Sequence, residues 1–296
     1  MALNLHHLRL FTAVVDEHGF GRAAVALRLS QPAISRAIAE LERDVGVPLL
    51  DRSGKAVRLT NAGERLHERA RELFGVERAA EQELREVRGL ERGVLRVAAS
   101  TTIATYVLPA LLGEFRASHP TVRISVLSAN TRTVAKMLLE WRVDVALVEG
   151  PVRHDRMDVR PWMNDELVLI ASPAHRFARD GRAPLAELAG EPFIVREPGS
   201  GTRDVTHRAL EAHGVRLERT MRLGGTEAIK QGVAAGLGLA FVSKAAVGDQ
   251  LALGKITVVP VPGLSIERPF AELRLRGRAA SPTAQAFAPL LASGSE

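Results

Sequence analysis

The sequence predicts two parts of different fold class, a small all-α N-terminal domain followed by a larger α/β domain. As far as residue 89, apolar residues recur at helical spacing, with one short interruption at residues 49–60. From residue 93 onward, short β-branched segments alternate with helical ones. Such alternation favours a largely parallel sheet covered by helices. A chain of 296 residues is long enough to build a core for each part.

Composition limits the class of protein. No apolar run approaches the roughly 20 residues that a membrane-spanning helix needs. Residues 1–9 lack a basic segment followed by an apolar one, so we expect no signal peptide, a cytoplasmic location and no membrane partner. The absence of cysteine excludes disulfides, thiolate metal sites and a cysteine nucleophile.

The segment from residue 20 to residue 45 predicts two helices joined by a tight corner. Ser30 suits the N-cap of the second helix, and Pro32 lies in its first turn, where a missing N–H costs nothing. Apolar residues mark one face of this helix: Ile34, Ile38, Leu41 and Val45. The opposite face carries Gln31, Ser35 and Arg36, residue types that reach base edges in a major groove. The pattern is typical of a helix-turn-helix, although a helical bundle that binds nothing would share it.

The segments on either side complete this domain. Residues 5–15 predict an amphipathic first helix. Residues 49–60 predict a β-hairpin wing around a Ser-Gly turn, with Arg52, Lys55 and Arg58 placed to contact phosphates. A solvated basic hairpin is the alternative. The net charge of the whole chain is +6, but residues 1–93 carry 15 basic and 14 acidic residues and are therefore almost neutral. A basic DNA-binding surface in this domain would have to be a small patch of its surface.

Residues 60–89 predict one long helix with a narrow apolar seam. The seam positions follow steps of four and three: Leu66, Ala70, Leu73, Glu77, Ala80, Leu84 and Val87. A long helix with one narrow stripe needs a partner for it, and the same helix of a second subunit would fill that role. We therefore expect a dimer.

The α/β part begins with a βαβαβ unit. Its strands are predicted at residues 94–99, 122–127 and 143–148, with a helix after residue 102 that runs through residues 108–115 and a second helix at residues 134–141. Further strands are predicted at residues 166–172, 193–196, 221–223, 238–242 and 269–275. Further helices are predicted at residues 186–188, 202–213, 227–235 and 283–291.

Three segments each follow a predicted strand or turn and open a helix. They are Ser100-Thr101-Thr102, the run from Glu197 to Arg203, and Gly224-Gly225-Thr226-Glu227. Backbone amides and hydroxyls at helix N-termini bind anions. Each segment alone is weak evidence, because Ser and Thr cap most helices, but together they predict a ligand site at one edge of the sheet.

Enzyme chemistry is not indicated. The glycine-rich run lacks the Gly-Lys-Ser/Thr of a phosphate-binding loop, and no Gly-x-Ser-x-Gly elbow is present. The pair His6-His7 has no neighbouring acid cluster, so no metal site and no cofactor are predicted. Two other classes stay open at this point: a small-molecule-binding protein with an N-terminal dimerisation module, and a transferase or deaminase on the same two-lobe fold.

Three motifs carry a resemblance to a known family. They are Leu-Ser-Gln-Pro-Ala-Ile-Ser-Arg-Ala-Ile-Ala-Glu-Leu-Glu at residues 29–42, Gly-Val-Pro-Leu-Leu-Asp-Arg at 46–52, and Arg-Leu-Thr-Asn-Ala-Gly-Glu at 58–64. In order and spacing they closely resemble the winged helix-turn-helix of LysR-type transcriptional regulators. Gly19 and Gly21 depart from the Ser or Thr usual in the family, and Leu50 from the common Phe.

The resemblance implies a domain layout. Residues 1–59 would form the winged helix-turn-helix, residues 60–89 the linker and dimerisation helix, and residues 90–296 the effector-binding domain. That domain would consist of two Rossmann-like lobes resembling a type II periplasmic binding protein, with lobe I at about 90–163 plus 267–296 and lobe II at about 164–266. The strands that cross between lobes would lie near residues 160–165 and 265–270.

The resemblance also implies partners and site residues. Operator DNA would be contacted by Gln31, Pro32, Ser35 and Arg36, with Arg52, Lys55 and Arg58 on phosphates. An effector between the lobes would contact Ser100, Thr102, Asn130, Glu149, Ser200, Thr202 and Thr226. Glu149 suits a hydroxyl or ammonium group better than an anion, unless it faces away from the cleft. The run from Glu197 to Arg203 resembles the branch with regulators of sulfur assimilation and carbon fixation, so we expect a small anionic effector. Further partners would be other copies of the chain, as a dimer or tetramer, and RNA polymerase.

Overall fold

The structure, a computed structural model, describes residues 3–51, 57–87 and 93–293. The chain divides into two compact units, Met1–Glu81 and Gln82–Glu296. Among the helices of the described residues, none is long and apolar enough to cross a membrane.

The first unit is a winged helix-turn-helix, as predicted. Its helices are α1 (Leu5–Asp16), α2 (Phe20–Leu27), α3 (Gln31–Val45) and α4 (Asn61–Val87, which runs past the boundary of the unit). Strands β1 (Leu50–Asp51) and β2 (Arg58–Leu59) pair antiparallel to form the wing, whose turn lies outside the described residues. Thr60 caps α4, since its Oγ1 accepts from the N–H of Gly63 at 3.0 Å.

Helix α3 has defined ends. Ser30 Oγ accepts from the N–H of Ala33 at 3.3 Å, and Gly46 ends the helix with a φ of +76°, a conformation that favours glycine. The Glu42 carboxylate accepts from the backbone N–H groups of Leu49 and Leu50, at 2.8 and 3.1 Å. This side chain therefore attaches the first strand of the wing to α3, a contact that sequence reasoning did not identify.

The apolar seam predicted on α4 is wrong in its first half. Ala70 is buried and Leu66 packs against the same core, together with Phe74, which was not part of the seam. Glu77 forms a bidentate ion pair with Arg9 at 2.7 Å. The first turns of α4 therefore pack in the core of their own unit and are not available to a second subunit. Apolar residues that stay exposed follow further along the helix, at Leu73, Val76, Ala80 and Leu84.

Asp16 connects α1 to α4 by accepting hydrogen bonds from His67 Nε2, at 2.9 Å, and from Arg71. Burial acts to raise the pKa of Asp16, but the bonds from His67 and Arg71 outweigh it, so the pKa lies below its ordinary value. A carboxyl whose pKa falls on folding stabilises the folded state above its unfolded pKa, and that contribution is lost as the pH falls through the folded pKa.

Asp16→Asn is therefore expected to lower the thermal midpoint of the N-terminal unit at neutral pH. The cost should stay below about 1 kcal/mol, because the pair is partly solvated. The difference from wild type should shrink as the pH falls below the ordinary aspartate pKa of about 3.9, because the wild-type carboxyl becomes protonated as the pH passes through its lowered folded pKa. Thermal unfolding at neutral pH and at a pH below that ordinary pKa checks this, with the exposed Asp44→Asn on α3 as a control. An equal deficit at both pH values would contradict the role of the charge.

The second unit is built on a seven-stranded sheet. Its path is β10-β6-β11-β5-β3-β4, and β9 also pairs with β6. The strands of the unit are β3 (Val94–Ser100), β4 (Arg123–Ala129), β5 (Val145–Glu149), β6 (Met157–Ala171), β7 (Pro192–Val195), β8 (Arg219–Arg222), β9 (Ala240–Ser243), β10 (Thr257–Val258) and β11 (Ile266–Leu275). Strands β4, β3 and β5 are parallel, which confirms the βαβαβ unit, and β7 pairs parallel with β8 in a separate sheet.

Helices cover both faces of the sheets. They are α5 (Leu108–Ser118), α6 (Thr131–Leu139), α7 (Arg176–Arg179), α8 (Gly201–Ala212), α9 (Thr226–Ala234), α10 (Gly248–Ala252) and α11 (Pro282–Ser293). A π-helical turn at Ile103–Val107 leads into α5, and short 3₁₀ helices lie at Leu185–Gly190 and Lys244–Ala246. Helices α7 and α10, strand β10 and the second 3₁₀ helix were not predicted.

Strands β6 and β11 join the two lobes, at the predicted crossovers. They pair antiparallel over their whole shared length, from Ile266 opposite Leu167 to Leu275 opposite Met157. Strand β6 is continuous from the predicted crossover near residues 160–165 into the predicted strand from residue 166, and it begins earlier than both, at Met157. Its one extra residue is Trp162, since Phe270 pairs with Met163 and Ala271 with Pro161, which makes a bulge beside the proline. Each lobe has apolar clusters of its own, around Val97 and Val148 in lobe I and around Leu169 and Ile194 in lobe II.

Candidate functional site

The residues predicted to contact DNA lie mostly on the surface of the N-terminal unit. Gln31, Pro32 and Arg36 are exposed at the start of α3, and Ser35 is half-buried. Arg58 is exposed on β2. Arg52 and Lys55 lie outside the described residues. The first turns of α3 therefore expose an amide and a guanidinium to solvent.

A second site lies where the lobes meet, at the ends of β3 and β5 and the starts of α8 and α9. Here the backbones of the two lobes touch. A Cβ atom added at Gly201, the first residue of α8, would lie 1.7 Å from the carbonyl oxygen of Glu149 at the end of β5. That same carbonyl accepts from Thr131 Oγ1 at 2.9 Å. Only glycine fits at residue 201 in this arrangement.

Gly201→Ala is accordingly expected to separate the lobes at this point. The added methyl group meets backbone, which has little freedom to yield, so we expect a loss of about 1–3 kcal/mol in the stability of the C-terminal unit. Thermal unfolding measures the loss. Gly224→Ala is the matched control, because a Cβ atom there would have no neighbour within 4 Å. Equal stability of the two variants would contradict the close approach.

Glu149 belongs to a buried ionic network that also contains Arg268 and Asp165. Its Oε1 accepts from Thr202 at 3.0 Å and Thr102 at 3.3 Å, and lies 3.2 Å from Arg268 Nη1. The Arg268 guanidinium also pairs with Asp165 at 2.7 Å and donates to Thr202 at 2.8 Å. Burial raises the pKa of Asp165 above its ordinary value, although the charge of Arg268 opposes the rise. Sequence reasoning placed Glu149 and Thr202 here but missed Arg268 and Asp165.

Two further buried cations were also missed. Arg196, at the end of β7, pairs with Glu197 and reaches Thr226 Oγ1 at 3.3 Å and Thr101 Oγ1 at 3.4 Å. Its hydrogen bonds, more than any other influence, hold the pKa of Glu197 below its ordinary value. Lys230, one helical turn after Thr226 on α9, donates to Ala246 O and Gln250 Oε1 and lies 4.8 Å from the centre of the Tyr106 ring. A charged residue directly after an apolar strand was the available signal for Arg196.

Several polar groups at this site have no partner among the described residues. The hydroxyls of Ser100 and Ser200 are buried and unpaired. Helices α8 and α9 both begin without a side-chain cap, so their first N–H groups are not satisfied by side chains. Asn130 differs from the rest, since its Oδ1 accepts from Thr133 N at 3.0 Å and caps α6. Unpaired hydroxyls next to open helix N-termini can donate to an anion.

Family models match both units of the chain. The family described as "Bacterial regulatory helix-turn-helix protein, lysR family" matches residues 5–64. The family described as "LysR substrate binding domain" matches residues 88–295. The chain belongs to the LysR family of transcriptional regulators. It is thus a DNA-binding regulator with an effector-binding domain, and it is not an enzyme.

Individual relatives agree with this. The chain is 38% identical over 262 residues to the "Uncharacterized HTH-type transcriptional regulator YeiE" of Escherichia coli K12, covering 88% of each chain. A full-length OxyR variant from Pseudomonas aeruginosa shares the fold, with a TM-score of 0.74, 23% identity and coverage of 99% of this chain and 95% of that one. The regulatory domain of Synechocystis PCC6803 CcmR in complex with 2-PG has a TM-score of 0.64 and 30% identity, and covers 69% of this chain and 98% of that domain.

Proposed function

We propose that this regulator recognises a specific operator through α3 and the wing, and that a small anion bound between the lobes changes its affinity for that operator. Gln31, Ser35 and Arg36 would contact base edges, with Pro32 positioning the helix start. Arg58 would contact phosphate, together with Arg52 and Lys55 of the wing turn. RNA polymerase is the partner through which binding would alter transcription.

The observation that carries the anion proposal is the pair of buried, unpaired hydroxyls beside two uncapped helices. Ser100 and Ser200 each keep a donor that an anion would satisfy, and Thr226 lies at the first turn of α9 next to the cationic Arg196. Leaving buried donors unsatisfied costs roughly 1–3 kcal/mol each, which an anionic ligand would recover. The 2-PG complex of the CcmR regulatory domain supports a ligand of this class in a related domain.

The remaining residues of the predicted set would act differently. Glu149 already compensates the charge of Arg268, so we propose that it orients Thr102 and Thr202 instead of contacting the anion. Asn130 caps α6, and we propose that it holds the N-terminus of this helix in position beside the cleft. Both roles keep these residues at the site without placing a carboxylate against a negative ligand.

A dimer or a tetramer is the proposed assembly. The exposed apolar stripe of α4, at Leu73, Val76, Ala80 and Leu84, advances in steps of three and four. Such a stripe suits packing against the same helix of a second subunit. Two winged domains would then meet two half-sites on one duplex.

Binding of 2-PG and of inorganic sulfate to the full-length protein tests the anion site, with calorimetry as the measurement. Ser100→Ala and Ser200→Ala should each weaken anion binding by about tenfold, because each removes a donor to a charged group. The affinity for operator without ligand should stay unchanged. Ser118→Ala on α5 is the control, since its hydroxyl bonds to the carbonyl of Glu114. Unaltered anion binding in both variants would contradict the proposal, as would a collapse of operator affinity.

A further inference from the structure

A cavity of about 200 Å³ lies within lobe II, between α8 and the sheet of β7 and β8. All of its lining residues lie between Phe193 and Phe241, so it is formed by one lobe and is not the space between lobes. We propose that it is a second ligand site, for a small amphiphilic anion: a carboxylate attached to a single ring or a short aliphatic chain. This proposal does not depend on the anion site between the lobes.

The inner wall of the cavity is apolar and has the size of one ring. Phe193 and Phe241 are stacked there, with ring centroids 6.0 Å apart and planes inclined by 12°. Leu210 of α8 and Val215 complete this wall, and all four side chains are buried. Since an engineered apolar cavity of roughly 150 Å³ holds benzene, this one is large enough for a single aromatic ring.

The outer wall is cationic. Arg203, Arg216 and Arg222 line the cavity, and none of the three forms a salt bridge with any described residue. The one acidic residue in the lining, Glu211, lies 3.1 Å from His207 one helical turn away. Three guanidinium groups without carboxylate partners attract an anion and bind it through charge-assisted hydrogen bonds.

One unpaired hydroxyl also points to a ligand. Thr206 lines the cavity from the middle of α8, and its Oγ1 is buried without a hydrogen-bond partner among the described residues. A buried hydroxyl of this kind is unusual unless a ligand or water satisfies it. An apolar wall, a free hydroxyl and three cations are the parts that an amphiphilic anion needs.

The cavity shares two side chains with the network between the lobes. Thr202 lines it and donates to Glu149, and Arg196 lines it and bonds to Thr226 and Thr101. A ligand in the cavity would therefore shift groups that also contact lobe I. Coupling between two sites is reciprocal, so each ligand is expected to change the affinity for the other.

Titration of the full-length protein with benzoate, followed by calorimetry and saturation-transfer NMR, tests the proposal. Benzamide replaces the carboxylate by a neutral group, and inorganic sulfate has the charge without the ring. Benzoate should bind at least about tenfold more tightly than benzamide, because the charge-assisted hydrogen bonds are lost with the amide. Saturating sulfate should change the affinity for benzoate only up to a limit, as expected for coupling between two sites, and should not abolish benzoate binding as a competitor would.

Two variants act on different walls. Arg222→Gln removes one exposed cation, and Thr206→Phe fills the cavity; each should weaken benzoate binding by about tenfold or more. Arg219→Gln is the matched control, because Arg219 lies on the same strand but does not line the cavity. Ser100→Ala should leave benzoate binding unchanged.

Three results would overturn the proposal. The first is equal binding of benzoate and benzamide, and the second is an absence of benzoate binding to the wild-type protein. The third is a loss of benzoate binding in Ser100→Ala with none in Arg222→Gln or Thr206→Phe, which would place the ligand between the lobes instead.

Discussion

Replacing Arg268 with methionine is expected to lower the unfolding free energy of the C-terminal unit by roughly 3–5 kcal/mol. Arg268 is fully buried on β11, and its guanidinium compensates both Glu149 and Asp165. Without it, two carboxylates face each other out of contact with water. The penalty comes from these uncompensated charges more than from the loss of the ion pairs themselves.

Urea unfolding of the full-length chain at neutral pH measures the effect. Arg276→Met is the matched control: Arg276 follows the same strand and pairs with Asp158, but both side chains are about half exposed, so the loss should be about 0–1 kcal/mol. Adding Glu149→Gln to Arg268→Met should recover part of the stability, since one uncompensated charge is removed. A cost for Arg268→Met no larger than that of the control would contradict the role of the network.

The second large effect is expected on DNA. Arg36→Ala should weaken binding to an operator duplex by about 10- to 100-fold, the discrimination that a bidentate contact to a base provides. Binding to a scrambled duplex should weaken much less. The expectation rests on the exposed position of Arg36 one turn into α3, where recognition helices contact base edges.

Fluorescence anisotropy with both duplexes, over a series of salt concentrations, measures this. Arg43→Ala is the control, because Arg43 is exposed in the last turn of the same helix. Equal losses on the operator and the scrambled duplex, together with a reduced salt dependence, would show that Arg36 contacts phosphate only.

Much of the fold could be predicted because it depends on local rules. The bounds of α3 follow from Ser30, Pro32 and Gly46, each of which acts on its own turn of backbone. The first three strands of the sheet follow from short apolar runs. The start of β6 at Met157 was missed because a proline, Pro161, argues against a strand there, and the bulge at Trp162 beside it exists only in the pairing with β11.

The apolar seam on α4 shows a second limit of prediction from sequence. Repeats of three and four residues describe both a helix that packs on its own domain and one that packs on a second subunit. The burial of Phe74 shows which face of α4 packs on its own domain: Phe74 lies in the core of the N-terminal unit, while the neighbouring Leu73 stays exposed. The sequence contains both residues, but only the three-dimensional arrangement shows which face of the helix the core occupies.

The sequence indicated the hydroxyl-bearing residues of the candidate site but, apart from Glu149, not its charged residues. Ser100, Thr102, Thr202 and Thr226 stand out as helix starts after strands. Arg268 and Asp165 lie 103 residues apart in the chain, so nothing local indicates that they form one buried pair. Glu149 could be placed at the site, but its partner could not, and the partner determines what its carboxylate does.

Sequence-specific binding to DNA is tested by selecting binding sites from a randomised duplex library with the full-length protein. We expect the retained duplexes to share a motif of two related half-sites. We also expect them to bind at least about a thousandfold more tightly than the starting library at the same salt concentration. Retention of duplexes without any shared motif, at an affinity set by salt alone, would contradict sequence-specific recognition.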